Sequence, residues 1–226
     1  RDYRQVSGAR RIDAEHFQPK YQEMFDRLSR SVRLEHLGRL TTYKKGIEVG
    51  GPAYTDSGVS FWRVSNLTKH GLDDGSVNFI SDELYQSLRS EYEPKQGEIL
   101  ISKDATPGLA YYLEHPIQGI VSGGILRLSI VDRIRPHYLE LALNSLFVQI
   151  QIEQDAGGSI IKHWKPSEVR KTWIPRLSDD KEGEIATLIQ QSHAARREAK
   201  ALLEKSKSAV ELAIEEGEDK AIEYIG

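Results

Sequence analysis

Residues 180–225 read DKEGEIATLIQQSHAARREAKALLEKSKSAVELAIEEGEDKAIEYI, a run without proline in which Ala, Glu, Lys and Leu dominate. This composition predicts one long helix, which at 1.5 Å per residue would reach roughly 60 Å. A helix of that length cannot bury its apolar face on a domain of ordinary size. We therefore expect it to pair with another helix, the alternative being a helix that folds back on its own domain.

The face that would pair follows a heptad-like spacing of three and four residues. Its members are Ile185, Leu188, Ser192, Ala195, Ala199, Leu202, Ser206 and Ala209. Beyond Ser206 the stripe shifts to Val210, Ala213, Ile214, Gly217 and Ala221, and Gly217 is expected to bend or end the helix. Because most of these side chains are small, a partner helix could approach closely. We call this set of residues the helix stripe.

The chain before this segment has a different pattern. Helices are predicted at about 19–32, 81–88 and 136–155, where apolar residues recur at helical spacing or follow helix-start signals. Strands are predicted where short runs rich in β-branched and aromatic residues lie between Gly, Pro, Asp and Asn, at 37–40, 46–49, 61–67, 98–102, 109–113 and 119–130. Residues 1–177 are thus predicted to form one mixed α+β domain on a curved or barrel-like sheet, and residues 178–226 the long helix.

Composition sets the class of protein. The chain has no cysteine, so disulfides and thiolate metal sites are excluded and a reducing cytoplasm fits best. No apolar run approaches the roughly 20 residues that a membrane helix needs, so no membrane partner is expected. The net charge is −3, but residues 178–226 hold 12 acidic and 7 basic side chains, whereas residues 1–177 hold 22 and 24. The domain can therefore carry positive patches that attract phosphates.

Motifs of catalysis are absent from the sequence. G-x-x-x-x-G-K-[ST], G-x-G-x-x-G, H-E-x-x-H and G-x-S-x-G do not occur, and the seven histidines are scattered. We therefore predict no metal site and no cofactor. One enzyme alternative stays open, because Lys103 and Asp104 follow a predicted strand, where sites often form. Asp104 with His163 could then serve a small hydrolase or transferase.

Basic side chains recur beside hydroxyl or amide groups at predicted strand ends and loops. Lys and Arg neutralise phosphates, whereas Ser, Thr and Asn fix the register of a nucleic-acid backbone, and Arg, Lys or Asn can also read base edges. We predict that double-stranded DNA is contacted by Lys44, Lys45, Arg63, Asn66, Lys103, Thr106, Ser159, Lys162 and His163. The neighbouring Trp164 is expected in the core.

The order of several segments resembles the specificity (S) subunit of type I restriction-modification systems. These segments are RIDAEHFQPKYQEMFDRL (11–28), FWRVSNL (61–67), GEILISKDATPG (97–108), IVSGGILRL (120–128) and QDAGGSIIKHWKPSEVRKTWIP (154–175), followed by the long helix. The resemblance covers essentially the whole chain. Its most specific parts are the 97–108 strand and turn and the run from 157 to 175 that leads into the helix.

The resemblance implies a subunit without catalytic activity, which binds DNA and docks a methyltransferase subunit, and which a separate restriction subunit can join. Members of the family typically carry two target-recognition domains, each reading one half of a split DNA sequence. Each domain is followed by a helix, and the two helices pack antiparallel as a spacer. This sequence holds one domain and one helix. It is therefore either half of a longer protein or a half-size subunit that forms a homodimer through residues 180–225.

Two hypotheses about function therefore lead. In the first, the chain delivers an adenine methyltransferase to a bipartite DNA site. In the second, it is a stand-alone dimeric DNA-binding regulator without enzyme partners. The two differ in whether the chain copurifies with a methyltransferase subunit.

Overall fold

The structure, a computed structural model, describes Ala14, residues 16–156 and residues 163–226. The helices are α1 (Pro19–Ser29), α2 (Leu37–Leu40), α3 (Asp82–Tyr92), α4 (Pro136–Leu143), α5 (Leu146–Ala156), α6 (Pro166–Val169), α7 (Asp179–Glu216) and α8 (Glu218–Ile225). The strands are β1 (Arg33–His36), β2 (Thr41–Lys45), β3 (Tyr54–Thr55), β4 (Val59–Trp62), β5 (Leu67–Thr68), β6 (Gly71–Leu72), β7 (Asn78–Ile80), β8 (Glu98–Ser102), β9 (Ala110–Tyr112), β10 (Ile120–Val121), β11 (Ile125–Ile130) and β12 (Trp173–Arg176). The predicted α+β class with a long C-terminal helix is confirmed.

The centre of the domain is an antiparallel sheet in the order β2-β11-β8-β9. Every residue of β8 is buried, because both faces of this strand are covered. Ile99 and Ile101 pack with α4 and α5 in the main core, whereas Leu100 packs on the opposite side. This two-sided burial explains why β8 reads as a continuous apolar run rather than as an alternating one.

A second sheet, in the order β10-β4-β7-β3, packs against the first. Its strands β10 and β4 are parallel, and the other pairs are antiparallel. Trp62 of β4, Val121 of β10 and Leu100 of β8 share one buried cluster that joins the two sheets. The strand ends of both sheets consequently meet around the segment between β10 and β11. Two shorter strand pairs, β5-β6 and β1-β12, complete the domain.

Two of the short apolar runs form no strand of their own, and two others, 61–67 and 119–130, are each divided between two strands by a turn. Residues 37–40 form one helical turn, because Leu37 N–H and Gly38 N–H donate to carbonyls of the chain just before β12, Thr172 O at 2.8 Å and Arg170 O at 2.9 Å. Residues 46–49 make a single parallel bridge, between Ile47 and Ser122, and the strand lies just before them, in β2. A run of four apolar residues does not by itself distinguish a strand from a turn of helix.

The helix predicted over 136–155 is interrupted at Asn144. The side chain of this residue donates to Ala110 O at 2.7 Å and accepts from Ala110 N–H at 3.2 Å, so it binds the edge strand β9. The same amide also donates to Glu140 O at 2.9 Å. Two helices, α4 and α5, replace one because this tertiary contact competes with continuation of the helix.

The start of α7 is fixed to the domain by a buried ion pair. Arg176 donates to Glu182 at 2.8 Å and to Glu35 of β1 at 2.9 Å. Glu182 also accepts from Leu177 N–H at 3.0 Å. Beside it, Tyr138 of α4 donates to Pro175 O at 2.7 Å, and burial raises the pKa of Tyr138 to about 12. The first turns of α7 therefore have a defined position against α4 and β12.

The long helix ends at Glu216, as expected from Gly217. Gly217 has φ = +98°, a conformation that glycine adopts without strain, and the chain reverses there into α8. Ala209 of α7 and Ala221 of α8 are buried in the resulting hairpin, and Lys205 donates to Ile225 O at 2.8 Å. The continuous helix is thus 38 residues long rather than the 46 of the predicted segment.

Among the helices of the described residues, none combines the length and the apolar composition that a bilayer crossing requires.

Candidate nucleic-acid interface

Three strand ends meet at one edge of the two sheets. β2 and β8 both run antiparallel to β11, so their final residues lie at the same edge. Gly46 N–H donates to Ile125 O at 3.1 Å, and Lys103 N–H donates to Gly124 O at 2.9 Å. From the second sheet, Ser122 N–H donates to Trp62 O, the last residue of β4, at 2.8 Å. The turn 122–124 therefore touches the ends of β2, β4 and β8, and we call this place the strand-end edge.

Four predicted basic residues lie at the strand-end edge. Lys45 ends β2, Arg63 follows β4, Lys103 follows β8, and His163 joins the chain after β8 through a backbone bridge to Asp104. Lys45, Arg63 and His163 are exposed, and Lys103 is half-buried. Residues from four separate parts of the sequence are thus brought to one surface, which is an arrangement that can contact successive phosphates.

A carboxylate organises part of this edge. Asp104 is ion-paired with Lys103, and its Oδ1 lies 2.8 Å from His163 Nδ1. Trp164 N–H donates to Lys103 O at 2.7 Å, so the two segments are also joined through the backbone. Burial acts to raise the pKa of Asp104, but hydrogen bonds from Lys103 and His163 outweigh it and hold that pKa below the ordinary value of 3.8. Trp164 is buried in the core beneath this junction, as predicted.

The other predicted DNA contacts divide by position. Lys44, next to Lys45 on β2, is exposed, and so is Thr106 in the turn after β8. Ser159 and Lys162 lie outside the described residues. In the described chain, five of the predicted contacts have exposed side chains that a ligand can reach directly: Lys44, Lys45, Arg63, Thr106 and His163.

Asn66 does not have that access, and the structure argues against the predicted DNA contact. The residue is buried, its amide oxygen accepts from Arg63 N–H at 3.0 Å, and its amide nitrogen donates to Asp73 O at 3.1 Å. Both polar groups of the side chain are occupied in holding the 3₁₀ turn that carries Arg63. Asn66 therefore holds the turn that carries Arg63 in place.

The enzyme alternative rested on Asp104 and His163, which are in contact. A carboxylate–histidine pair becomes a hydrolytic device when a nucleophile faces the imidazole. The nearby hydroxyl of Ser102 is buried and donates to Thr106 O, and Ser122 is buried in the bridge to Ile47. Lys103 also neutralises Asp104. The Asp104–His163 contact is therefore suited to holding His163 at the surface rather than to activating a hydroxyl.

The helix stripe is largely exposed along α7. Ile185 packs against the domain core and Ala209 is buried under α8, whereas Ala213 is half-buried. The exposed members are Leu188, Ser192, Ala195, Ala199, Leu202, Ser206 and Val210. The side of α7 that faces the domain instead carries Glu182 and His193. Ile214, in the shifted part of the stripe, and Leu203, outside the stripe, are exposed as well.

One buried cluster was missed in the sequence. His137 and Glu140 of α4 meet His193 of α7, although the histidines are scattered along the chain. The spacing H-x-x-E at 137–140, inside a predicted helix, was the available signal, because residues three apart share a helix face. His193 joins this cluster only because α7 packs on α4, and the sequence contains no local signal for that contact.

Among the comparisons with known proteins, matches were found only among solved structures. No family model and no curated protein matches the sequence. The S subunit of a type I restriction-modification system from M. genitalium matches with a TM-score of 0.57 at 14% identity, over 82% of this chain and 47% of that one. The chain has the fold of an S subunit.

Two further structures agree with this assignment of the fold. One is a chain from a structural study of complex assembly and conformational transition in the type I R-M system. It matches with a TM-score of 0.51 at 18% identity, over 96% of this chain and 55% of that one. The type IIG restriction endonuclease BpuSI matches with a TM-score of 0.58 at 11% identity, over 84% of this chain and 30% of that one. This chain thus spans about half the length of the type I chains that it matches.

Proposed function

We propose that this chain is a DNA-recognition subunit of a type I restriction-modification system and has no catalytic activity of its own. In this proposal residues 1–177 bind one half of a bipartite DNA target. Residues 178–226 set the spacing and dock the methyltransferase subunit, which a restriction subunit can join. A cytoplasmic location follows from these partners.

The observation that carries the proposal is the convergence of basic residues on the strand-end edge of an S-subunit fold. Lys45, Arg63, Lys103 and His163 come from four different segments. Backbone hydrogen bonds around the turn 122–124 position the first three, and the backbone bridge to Asp104 positions His163. A surface that gathers basic side chains from separate segments is more specific than a local run of basic residues, because the tertiary structure must bring them together. Phosphate contacts of this kind supply affinity, and adjacent loops then have access to base edges.

DNA binding by the full chain tests this surface through its salt dependence. We expect Lys45→Ala and Arg63→Ala each to weaken binding to a mixed-sequence duplex and to reduce the slope of log K against log[salt] by about 0.9. Lys95→Ala is the matched control, since Lys95 is exposed but precedes β8, at the opposite end of that strand. Slopes for the two variants that equal the Lys95→Ala slope would contradict the proposed surface.

The exposed helix stripe supports a partner along α7. Leu188 and Leu202 expose 64% and 58% of their surface, and small residues lie between them, so another helix could approach closely. We propose that this partner is a second copy of the chain or the second helix of a longer subunit. In either case the helices would hold two recognition domains at a fixed separation.

Leu202→Glu tests the stripe by sedimentation of the full chain. We expect a loss of self-association, or of methyltransferase docking in a mixture of the two subunits, because a buried charge at a helix interface is costly. Ala201→Glu is the control, since Ala201 is exposed next to Leu202 but lies outside the stripe. Equal assembly of the two variants would show that α7 pairs through another face.

Self-association and DNA binding without any methyltransferase docking would favour the stand-alone dimeric regulator.

A further inference from the structure

The joint between α4 and α7 holds three side chains of types that bind metals. His137 and Glu140 lie one turn apart on α4 and therefore share a face. His193 reaches the same place from α7. All three are buried, with 7%, 2% and 9% of their surfaces exposed. Ordinary polar side chains are seldom buried together without a specific arrangement of partners.

The distances fit one small ion. His193 Nε2 lies 3.0 Å from Glu140 Oε1, and His137 Nδ1 lies 3.3 Å from Glu140 Oε2. One nitrogen or oxygen atom from each of the three residues lies within 4.8 Å of the others. Ligands bound at about 2.1 Å in a tetrahedral arrangement are separated by roughly 3.4 Å, so small shifts would bring these atoms around Zn²⁺.

A second carboxylate supports the arrangement from outside. Glu114, just after β9, lies 3.7 Å from His137 Nε2. Its position is held from α7, since Gln190 donates to Oε1 at 2.7 Å and Arg197 lies 3.1 Å from Oε2. Histidines that bind metals commonly donate their other ring N–H to such a carboxylate.

The hydrogen-bond inventory of His137 leads to the same conclusion. Both of its ring nitrogens face carboxylate oxygens, from Glu140 on one side and Glu114 on the other. When Nε2–H donates to Glu114, the lone pair of Nδ1 points toward Glu140. In that tautomer Nδ1 can bind an ion that Glu140 also binds, while Glu114 holds the ring in place.

We propose that His137, Glu140 and His193 bind a divalent transition metal, with Zn²⁺ as the best match to two imidazoles and one carboxylate. Glu114 is a positioning residue that orients His137. The ion would connect α4 to α7 and so fix the long helix relative to the domain, about three turns along α7 from the Arg176–Glu182 pair. This proposal does not depend on DNA binding.

Metal content of the full chain tests the proposal directly. Protein treated with EDTA, dialysed and then exposed to Zn²⁺ is expected to retain one equivalent and to melt at a higher temperature than the EDTA-treated protein. Substitution with Co²⁺ is expected to give the visible absorption of a low-symmetry nitrogen and oxygen site. Glu114→Ala is expected to weaken affinity for Zn²⁺ about 10–100-fold while keeping the one-to-one stoichiometry.

Two variants and one control decide the outcome. His193→Ala and Glu140→Gln, checked for folding by circular dichroism, are expected to lose both the bound Zn²⁺ and the thermal shift. His163→Ala, an equivalent histidine removal at the strand-end edge, is expected to keep both. The proposal is overturned if the wild-type chain retains no Zn²⁺, or if folded His193→Ala and Glu140→Gln proteins still retain one equivalent.

Discussion

Two carboxylate–histidine clusters in this protein have the same chemistry and different surroundings. Asp104 and His163 meet at the exposed strand-end edge, where 63% of the His163 side chain is accessible. Glu140 contacts His137 and His193 in the buried joint between the domain and α7. Water can replace any hydrogen bond lost at the edge, but not one lost in the joint. The same residue types therefore form part of an accessible surface at the strand-end edge, whereas they stabilise the fold in the joint between the domain and α7.

The largest effect is expected from the joint. Glu140→Ala removes the acceptor shared by two buried histidines, so we expect it to lower the free energy of unfolding by about 3–5 kcal/mol. Urea denaturation in the presence of EDTA measures this loss apart from any contribution of metal. Glu184→Ala is the control, because that carboxylate pairs with Lys181 on the exposed side of α7, and the change there should stay below about 1 kcal/mol. A similar loss in both variants would remove the contrast between the joint and the surface.

An intermediate effect is expected from Asn66, which is buried although it lies close to the strand-end edge. Asn66→Ala leaves Arg63 N–H and Asp73 O without their partner, so we expect a loss of about 1–3 kcal/mol. Ser65→Ala, at an exposed neighbour, should change the free energy of unfolding by less than about 0.5 kcal/mol. If the two variants unfold at the same urea concentration, the Asn66 hydrogen bonds do not hold this turn.

A smaller effect on stability is expected at the edge itself. Asp104→Asn breaks a partly exposed ion pair, so the free energy of unfolding should fall by less than about 1 kcal/mol. The same substitution should strengthen DNA binding and steepen its salt dependence, because Lys103 would no longer be neutralised. Filter binding at several salt concentrations measures both. Weaker DNA binding by Asp104→Asn would contradict this expectation. It would indicate that the role of Asp104 in positioning His163 outweighs its neutralisation of the Lys103 charge.

The smallest effect concerns pH. Because hydrogen bonds lower the pKa of Asp104, its ionised form stabilises the fold at pH values above the ordinary 3.8, and this stabilisation is lost as the pH falls below that value. We expect the difference in unfolding free energy between wild type and Asp104→Asn to be constant at higher pH and to shrink below pH 3.8. Denaturation curves of both proteins across that range measure it. A difference that grows on acidification would contradict the lowered pKa.

The sequence predicted much of this fold because several segments have strong local signals. The helices at Pro19–Ser29 and Asp82–Tyr92 follow their apolar spacing, and β8 and β9 follow runs rich in β-branched or aromatic residues. Residues 37–40 were wrongly predicted as a strand, since a four-residue apolar run has no distinguishing period. The break at Asn144 depends on a hydrogen bond to β9, which no local pattern contains.

The candidate surface was predicted only in part for the same reason. The basic residues at strand ends are visible in the sequence, and five of them, Lys44, Lys45, Arg63, Lys103 and His163, lie in the described chain. Asn66 was chosen for its residue type, but its burial is a tertiary property. His193 is the opposite case, because it appears isolated in the sequence and lies in a buried cluster in the structure.

The sequence by itself determined the long helix and the α+β class of the domain, because these depend on composition and periodicity over short distances, and it marked Gly217 as the place where that helix bends or ends. Only the tertiary structure decided which charges share a surface and which are buried together. Residues such as Asp104 and His163, or Glu140 and His193, are brought together by the packing of separate elements. Contacts at that separation in sequence depend on the burial of apolar surface over the whole domain, which no short stretch of sequence specifies.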